Sequence, residues 1–537
     1  MKPLLDSHDY AAIRARFRWD FPARLNMGVQ ITDDWARAEP DRLAVIEYDG
    51  AARRDVTYGA LSAMTDRLAH ALAAGPGARI GILRTQSAWT AAAHAAVWKS
   101  GAISVPLFKL FGPEALRLRL EDAGVDTVIT DPEGREMLAP FDLRVIVPEE
   151  DELPEPGPFT AVETGPEMPA IIIYTSGTTG APKGALHGHR VLTGHLPGVE
   201  MSHDLLRPGA DVLWTPADWA WIGGLFDVAM PGLALGVAVV AARLPKFDAE
   251  ACVGLIRDCG VTAAFLPATA LRMLRAAGVS VPGLRSVSSG GETLGAEMLA
   301  WGQEALGVEI NEFYGQTECN MIVSSAGSMF PTRPGAMGKP SPGFEVTVID
   351  EDGQPTTDEG DIAVRRGAGS MFLGYWNRPD ATADKFRGDW MLTGDRGVEE
   401  DGYLRFVGRD DDVITSSGYR IGPSEIEDVL IKHGSVAAAG VVGKPDPMRT
   451  EIVKAFIVLR EGVSPTDDLA AALQDHARRH CAAHSYPREI EFLEALPMTI
   501  TGKVMRRELR QREIDAAGQD NEPGAGPDDG SKREGEE

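Results

Sequence analysis

The chain has 537 residues, too many for one hydrophobic core at roughly 100 to 200 residues per domain, so several folding units are expected and a peptide scaffold or single small binding module is excluded. With 44% hydrophobic and 25% charged residues the composition is that of an ordinary globular chain, neither fibrous nor wholly disordered. Lys+Arg 53 against Asp+Glu 79 leaves a net charge of −26, which repels phosphate backbones, argues against nucleic-acid binding and requires any phosphate ligand to be met by local cations.

In chain order, the start Met1-Lys2-Pro3-Leu4-Leu5-Asp6 lacks the continuous apolar stretch of a secretory signal, and a cytoplasmic location is expected. From about Ala44 to Val147, short β-rich runs (Ile80 to Leu83, Ala102 to Val105, Thr127 to Ile129) alternate with Ala-rich helical stretches such as Ala91 to Trp98, the pattern of βαβ units in a parallel sheet. Pro148 to Pro169, rich in Pro, Glu and Gly, reads as an exposed connection. Between Asp211 and Leu284 strand and helix alternate again, as a second α/β sheet or a continuation of the first. Within it Val228 to Ala242 is the longest uncharged apolar run, too short to cross a bilayer, so a buried strand or helix is expected there. Gly343 to Val407 changes to short alternating runs with turn pairs, which favours antiparallel β structure, and after Gly408 a compact α+β stretch runs to about Ile514. Ala516 to Glu537 carries seven acids and no large apolar side chain, so a disordered tail is expected. Cys252, Cys259, Cys319 and Cys481 show no CxxC spacing and read as reduced thiols.

The segment Ile171-Ile172-Ile173-Tyr174 is a buried-strand pattern set directly before Thr175, Ser176, Gly177, Thr178, Thr179, Gly180, Ala181, Pro182, Lys183 and Gly184. Glycines let backbone N–H groups converge, hydroxyls add donors and Lys183 supplies a positive charge, a combination suited to a polyphosphate. Lys183 is followed by Gly184 instead of Ser or Thr, so this is not the loop of the P-loop kinases.

The string TSGTTGAPKG resembles the signature loop of the AMP-forming adenylate ligases, the superfamily of acyl-CoA synthetases, peptide-synthetase adenylation domains and firefly luciferase. Further motifs follow in that superfamily's order: Ser289 to Thr293, Asn311 to Glu318, Leu392 to Asp395, Gly408 to Arg420 and Thr501 to Lys503. The similarity covers roughly residues 17 to 512, and the wording YGQTE and SSGYRIGPSEIE is most like the medium-chain acyl-CoA synthetases. The resemblance implies an α/β fold, with a large domain of βαβ-built sheets and a β-rich subdomain at 1–408, a small mobile α+β domain at 409–515 and the acidic tail at 516–537. It implies a soluble ligase that activates a small carboxylic acid with ATP and Mg²⁺ to acyl-AMP and pyrophosphate, then passes the acyl group to CoA with release of AMP.

Residue by residue, the resemblance assigns Thr175, Ser176, Gly177, Thr178, Thr179, Gly180 and Lys183 to the β- and γ-phosphates, and Thr317 and Glu318 to the α-phosphate and Mg²⁺. Gly290, Gly291, Glu292 and Thr293, with Glu312, Phe313, Tyr314, Gly315 and Gln316, would line the adenine and its nucleotide. Asp395 would accept the ribose hydroxyls, with Arg409 and Arg420 also on the nucleotide. Lys503 would reach the acyl carboxylate and phosphate oxygens during adenylation, although Met498 stands where the family often carries a second lysine. Asp411 is the expected hinge pivot, and Ser417, Gly418 and Tyr419 the expected CoA path. The three acids Asp410, Asp411 and Asp412 are expected to be exposed, because they cannot pack in a core without partners. Gly315 falls where acetyl-CoA synthetases carry a closing tryptophan, so an open acyl pocket near Trp219, Trp221 and Gly223 is expected, favouring acids of about four carbons or more. His187 and His189 are expected to be structural. Two alternatives remain: a ligase of the same fold acting on an aryl or other acid, or on a carrier protein or amine, and a catalytically silent nucleotide-binding protein.

Overall fold

Successive side chains of a strand point to opposite faces, so an apolar run buried on both sides must be covered twice. Strand Leu43–Tyr48 and its parallel neighbour Ala238–Ala241 show this, with Val45 and Val239 in one apolar cluster and Ile46 and Val240 in another. The computed structural model in which this is seen describes residues 1–519 apart from 176–181, 243, 245–246, 293, 410–411, 413, 417–418, 447–448, 482–485 and 500–502. Backbone packing divides the chain into two units, Met1–Phe406 and Val407–Glu537.

Among the described residues the first unit carries two long sheets. One runs in the order Lys339–Pro340, Cys319–Ser324, Ile310–Gln316, Ser286–Gly290, Ala263–Phe265, Val212–Trp214, Ala238–Ala241, Leu43–Tyr48, Arg53–Thr57. The other runs Gly374–Tyr375, Lys183–Gly188, Pro169–Thr175, Ile103–Pro106, Arg79–Leu83, Thr127–Thr130, Arg144–Ile146. The strands near Arg79–Leu83 are parallel, as the βαβ pattern requires, but Leu43–Tyr48 pairs into the first sheet with the hairpin partner Arg53–Thr57. One apolar cluster draws on both sheets, through Val45, Leu213 and Val239 of one and Ile80, Ile82, Ile171 and Ile173 of the other.

Helix Ala88–Lys99 belongs to that shared core. It starts at Ser87, whose hydroxyl accepts from Thr90 N, and its alanines and Trp98 are buried all round, as for a helix with no solvent face. The apolar run Val228 to Ala242 is buried throughout as the end of a π-helical turn, Leu225–Ala229, then helix Met230–Leu235 and strand Ala238–Ala241. Among the described residues no helix is long and apolar enough to cross a membrane. Among the described residues none of the four cysteines forms a disulfide.

The expected antiparallel region is a third sheet, in which Val346–Ile349, Gly360–Arg365, Trp390–Glu400 and Phe386–Arg387 pair antiparallel and Tyr403–Arg409 joins Trp390–Glu400. The second unit is α+β: strands Tyr419–Ile421, Ile414–Ser416, Thr450–Leu459, Val436–Asp446 and Glu489–Phe492 form one sheet, with helices Pro423–Ile431, Asp467–His480 and Arg506–Gln519. Its core holds Ile414, Ile426, Leu430, Val441, Ala455 and Leu473.

Candidate active site

The hairpin Ile310–Gln316 and Cys319–Ser324 leaves only Thr317 and Glu318 to make its turn, because Gln316 pairs with Cys319. The register then slips between Tyr314 and Gln316, and Met321, opposite the slip, adopts φ +56°. A non-glycine residue in that region is a held strain of a kind that collects at functional sites. Gly198 of helix Arg190–Ser202 makes the strain possible: a Cβ there would stand 2.3 Å from the Met321 carbonyl oxygen.

Glu318 is buried, and its carboxylate oxygen Oε1 accepts the hydroxyl of Tyr375. Phe372 N donates to the Glu318 carbonyl at 2.7 Å, so main chain and side chain are fixed by the same segment. That segment is held by strand pairing, Gly374 with Leu186 and Tyr375 with Ala185, on the strand that Lys183 begins. Lys183 Nζ lies 5.2 Å from the Tyr375 ring centre, a cation over an aromatic face. One tyrosine thus contacts both the acid of the turn and the cation of the signature loop. Thr175 pairs with Lys183 across the base of that loop; Ser176, Gly177, Thr178, Thr179 and Gly180 lie outside the described residues.

A second corner forms around Asp395. Tyr314 donates to Asp395 Oδ2 at 2.5 Å, Asp395 N donates to Thr393 Oγ1 at 3.1 Å, and Gln316 Nε2 donates to the Thr393 carbonyl at 2.9 Å. Lys385 closes the corner by donating to Gln316 Oε1 at 2.8 Å and to the carbonyls of Leu392 and Thr393 at 3.1 and 3.2 Å. Gly394, with φ +80°, makes the turn that presents Asp395.

The expected adenine residues divide by strand alternation. Tyr314 faces Asp395, whereas Phe313 turns into the core beside Phe265, ring centres 5.1 Å apart. Gly290 serves that packing, since a Cβ on it would meet the Phe313 ring at 2.6 Å. Glu312 is buried and accepts from Leu294 N at 2.9 Å, and Glu292 pairs with Arg272 at 2.7 Å. Gly291 has φ +89°; Thr293 lies outside the described residues.

The expected acyl-pocket residues are not all brought together. Trp219 is buried in the cluster of Phe226, Phe265 and Phe313, whereas Trp221 packs with Phe108 and Phe111 in another. Gly315 does not open onto free space: a Cβ there would lie 2.3 Å from Asn320 Oδ1 and 2.6 Å from Met321 N. The close passage of the hairpin strands requires glycine at that point. A Cβ on Gly223 would stand 3.3 Å from Phe265 and 3.5 Å from Asp227 Oδ2. His187 and His189 are buried, and burial lowers the pKa of His187 to about 3 and of His189 to about 4, so both are neutral.

In the second unit Lys503 is exposed and its N–H donates to Thr499 Oγ1 at 3.0 Å, while Thr499 N donates to the Lys503 carbonyl at 2.8 Å. An isolated bridge also pairs Met498 with Val504. Asp412 departs from the expected exposure: it is half-buried because Arg506 pairs with it at 3.3 Å and with Glu427 at 2.5 Å. Arg409 ends strand Tyr403–Arg409, and the backbone of Tyr419 and Arg420 lies in strand Tyr419–Ile421. Asp411, Ser417 and Gly418 lie outside the described residues.

Among the described residues no cluster of three or more His, Cys, Asp or Glu side chains could hold a metal ion. A single buried carboxylate such as Glu318 is compatible with Mg²⁺, which commonly takes one or two protein carboxylates alongside phosphate oxygens and water. Tyr375, Lys385, Asp227 and Asn320 were not singled out in the sequence; only the Gly374-Tyr375-Trp376 run, aromatic residues behind a glycine, offers a local signal for the first.

Residues 32–376 match the family model for the AMP-binding enzyme, and residues 425–503 that for the AMP-binding enzyme C-terminal domain. The acetyl-coenzyme A synthetase of Bacillus subtilis (strain 168) is 35% identical over 444 residues, which is 78% of this chain and 77% of that protein. A mitochondrial acyl-coenzyme A synthetase of Rattus norvegicus is 40% identical over 367 residues; that match spans 66% of this chain and 63%, just under two thirds, of the relative. The crystal structure of a Brucella canis acyl-CoA synthetase superposes with a TM-score of 0.70 at 32% identity, covering 95% of this chain and 99% of that one.

Proposed function

The chain belongs to the AMP-binding enzyme family, among its ATP-dependent, AMP-forming acyl-CoA ligases, and we propose that it joins a small monocarboxylic acid of about four carbons or more to CoA through an acyl-AMP intermediate. A carboxylate does not react with a thiol near neutral pH until it acquires a good leaving group. Its attack on the α-phosphate of ATP brings anions together, so the site must supply cations and oriented donors where charge develops.

In this reading Thr175 and Lys183, with Ser176, Gly177, Thr178, Thr179 and Gly180, hold the β- and γ-phosphates, and Thr317 donates to the α-phosphate. Glu318 is the protein ligand to Mg²⁺, which when bound neutralises phosphate charge. Asp395, oriented by Tyr314, accepts from the ribose hydroxyls, and Lys385 keeps Gln316 and the Thr393 carbonyl in place beside it. Lys503 serves the adenylation step, Arg409 and Arg420 the nucleotide, Asp411 the turn between half-reactions, and Ser417, Gly418 and Tyr419 the thiol. We also place the enzyme in the cytoplasm.

The observation that carries the reading is Glu318 held on the hairpin turn by Tyr375, whose ring lies against Lys183. For chain length, the support is the YGQTE and SSGYRIGPSEIE wording shared with the medium-chain acyl-CoA synthetases, since the space beside Gly315 is filled by Asn320 and Met321. Acid-dependent exchange of labelled pyrophosphate into ATP, measured with straight-chain acids from acetate to decanoate, tests both points. Exchange rising from acetate to butyrate and longer acids is expected, graded because each buried CH₂ contributes about 0.8 kcal/mol. No exchange with any acid refutes the adenylation, and acetate preferred to butyrate refutes the chain-length assignment.

A further inference from the structure

Between the two glycines assigned to the acyl slot lies a polar pair. Asn320 Nδ2 donates to Asp227 Oδ1 at 2.8 Å; Asp227 Oδ2 lies 3.5 Å from where Gly223 would carry a Cβ, and Asn320 Oδ1 lies 2.3 Å from that of Gly315. The pair therefore bridges one glycine to the other, with the aromatic rings of Phe265 and Phe313 alongside.

Asp227 sits on the π-helical turn Leu225–Ala229, an irregularity that often marks functional sites, and Asn320 on the strained slip of the hairpin beside Met321. Both are buried, Asp227 at 3% exposure and Asn320 at 4%. Among the described residues no cation pairs with Asp227, and the one hydrogen bond to its side chain is that from Asn320 to Oδ1. A second buried donor belongs to the same apolar cluster: Trp219 Nε1 has no acceptor among the described residues. A buried donor without an acceptor costs roughly 1 to 3 kcal/mol, so such groups mark where a ligand oxygen belongs.

We infer that Asp227, oriented by Asn320, is the specificity-determining residue of the acyl slot and selects carboxylic acids that carry a hydrogen-bond acceptor, a ketone or ether oxygen, in their tail. The inference rests on the ligase reading above and narrows its substrate class. Burial without a cation pushes the pKa of this carboxyl well above the usual carboxylate range, which favours its protonated form. Because Oδ1 accepts from Asn320, a proton on this carboxyl would sit on Oδ2 and face Gly223 as a donor. A site built to hydrogen-bond a substrate group discriminates strongly against the analogue that lacks it.

The test measures kcat/KM for oxo acids of five to seven carbons, each against the straight-chain acid of equal length, with pyrophosphate release as readout. The wild-type protein should favour at least one oxo acid by roughly tenfold or more. Asp227→Asn keeps a donor at the same place and should keep the preference; Asp227→Leu removes it and should favour the straight-chain acid. Thermal melting of each variant separates altered specificity from lost folding, and the wild-type comparison stands without either variant. No preference in any pair, a preference for amine-tailed acids, which an ionised Asp227 would select, or an equal loss for both acids in a folded Asp227→Leu variant would overturn the inference. In all these outcomes acid-dependent pyrophosphate release itself persists, whereas its absence with every acid would instead remove the ligase reading.

Discussion

At Glu318 a buried carboxylate accepts the hydroxyl of Tyr375, a contact that orients it. Tyr375→Phe removes this donor and keeps the ring against Lys183. A hydrogen bond to a charged group is worth about 1.5 to 3 kcal/mol, so kcat/KM should fall by roughly ten- to a hundredfold with little change in melting temperature. Activity within twofold of wild type would show that Glu318 is oriented by other contacts. Lys503→Ala should nearly abolish adenylate formation while sparing thioester formation from supplied acyl-AMP, because the lysine is assigned to one half-reaction; equal loss in both contradicts this. Gly315 changes meaning between sequence and structure. Read by resemblance it opens a pocket, yet its missing Cβ is the space taken by Asn320 and Met321. Gly315→Ala should therefore lower the melting temperature and reduce activity on all acids alike, and a loss confined to longer acids would restore the pocket reading.

At the scale of elements, legibility followed sequence distance. The strand before Thr175, the Thr317–Glu318 turn and the Thr393-Gly394-Asp395 turn are contiguous motifs whose residue types state their chemistry. Tyr375 reaches Glu318 across 57 residues and Lys385 reaches Gln316 across 69, through strand pairings that no local pattern encodes. Asp412 departs from the exposure expected of it for the same reason, since its partner Arg506 lies 94 positions on. Helix Arg190–Ser202 offers another long-range tie, which also titrates: Glu200 accepts from Leu4 N and Leu5 N at 2.8 and 2.9 Å, and burial raises its pKa to about 8. The folded carboxyl keeps its proton up to about pH 8 while the unfolded one releases it in the usual carboxylate range. The folded state thus binds more protons in between, and stability from this group falls as pH rises from about 5 to 8. Melting temperature should decline more steeply over that range for wild type than for Glu200→Gln; parallel slopes would show that Glu200 is ionised in the fold.

For the whole molecule, a chain of net charge −26 that handles ATP, CoA and a carboxylate must gather its cations locally, and we assign that part in the first unit to Lys183, which lies against Tyr375. The βαβ order and the antiparallel change of texture were readable because hydrophobic period reports strand and helix directly, whereas the membership of Leu43–Tyr48 in the first sheet depends on its pairing with Ala238–Ala241, far along the chain. The central claim is that one polypeptide carries an acid through adenylate to thioester. It is tested most directly by incubating the purified protein with ATP, Mg²⁺ and a six-carbon acid, with and without CoA, and quantifying AMP, pyrophosphate and acyl-CoA by chromatography. Sustained, equimolar formation of all three only when CoA is present is the expected result. Formation of ADP and phosphate, or AMP release that is the same without CoA and yields no thioester, would contradict it.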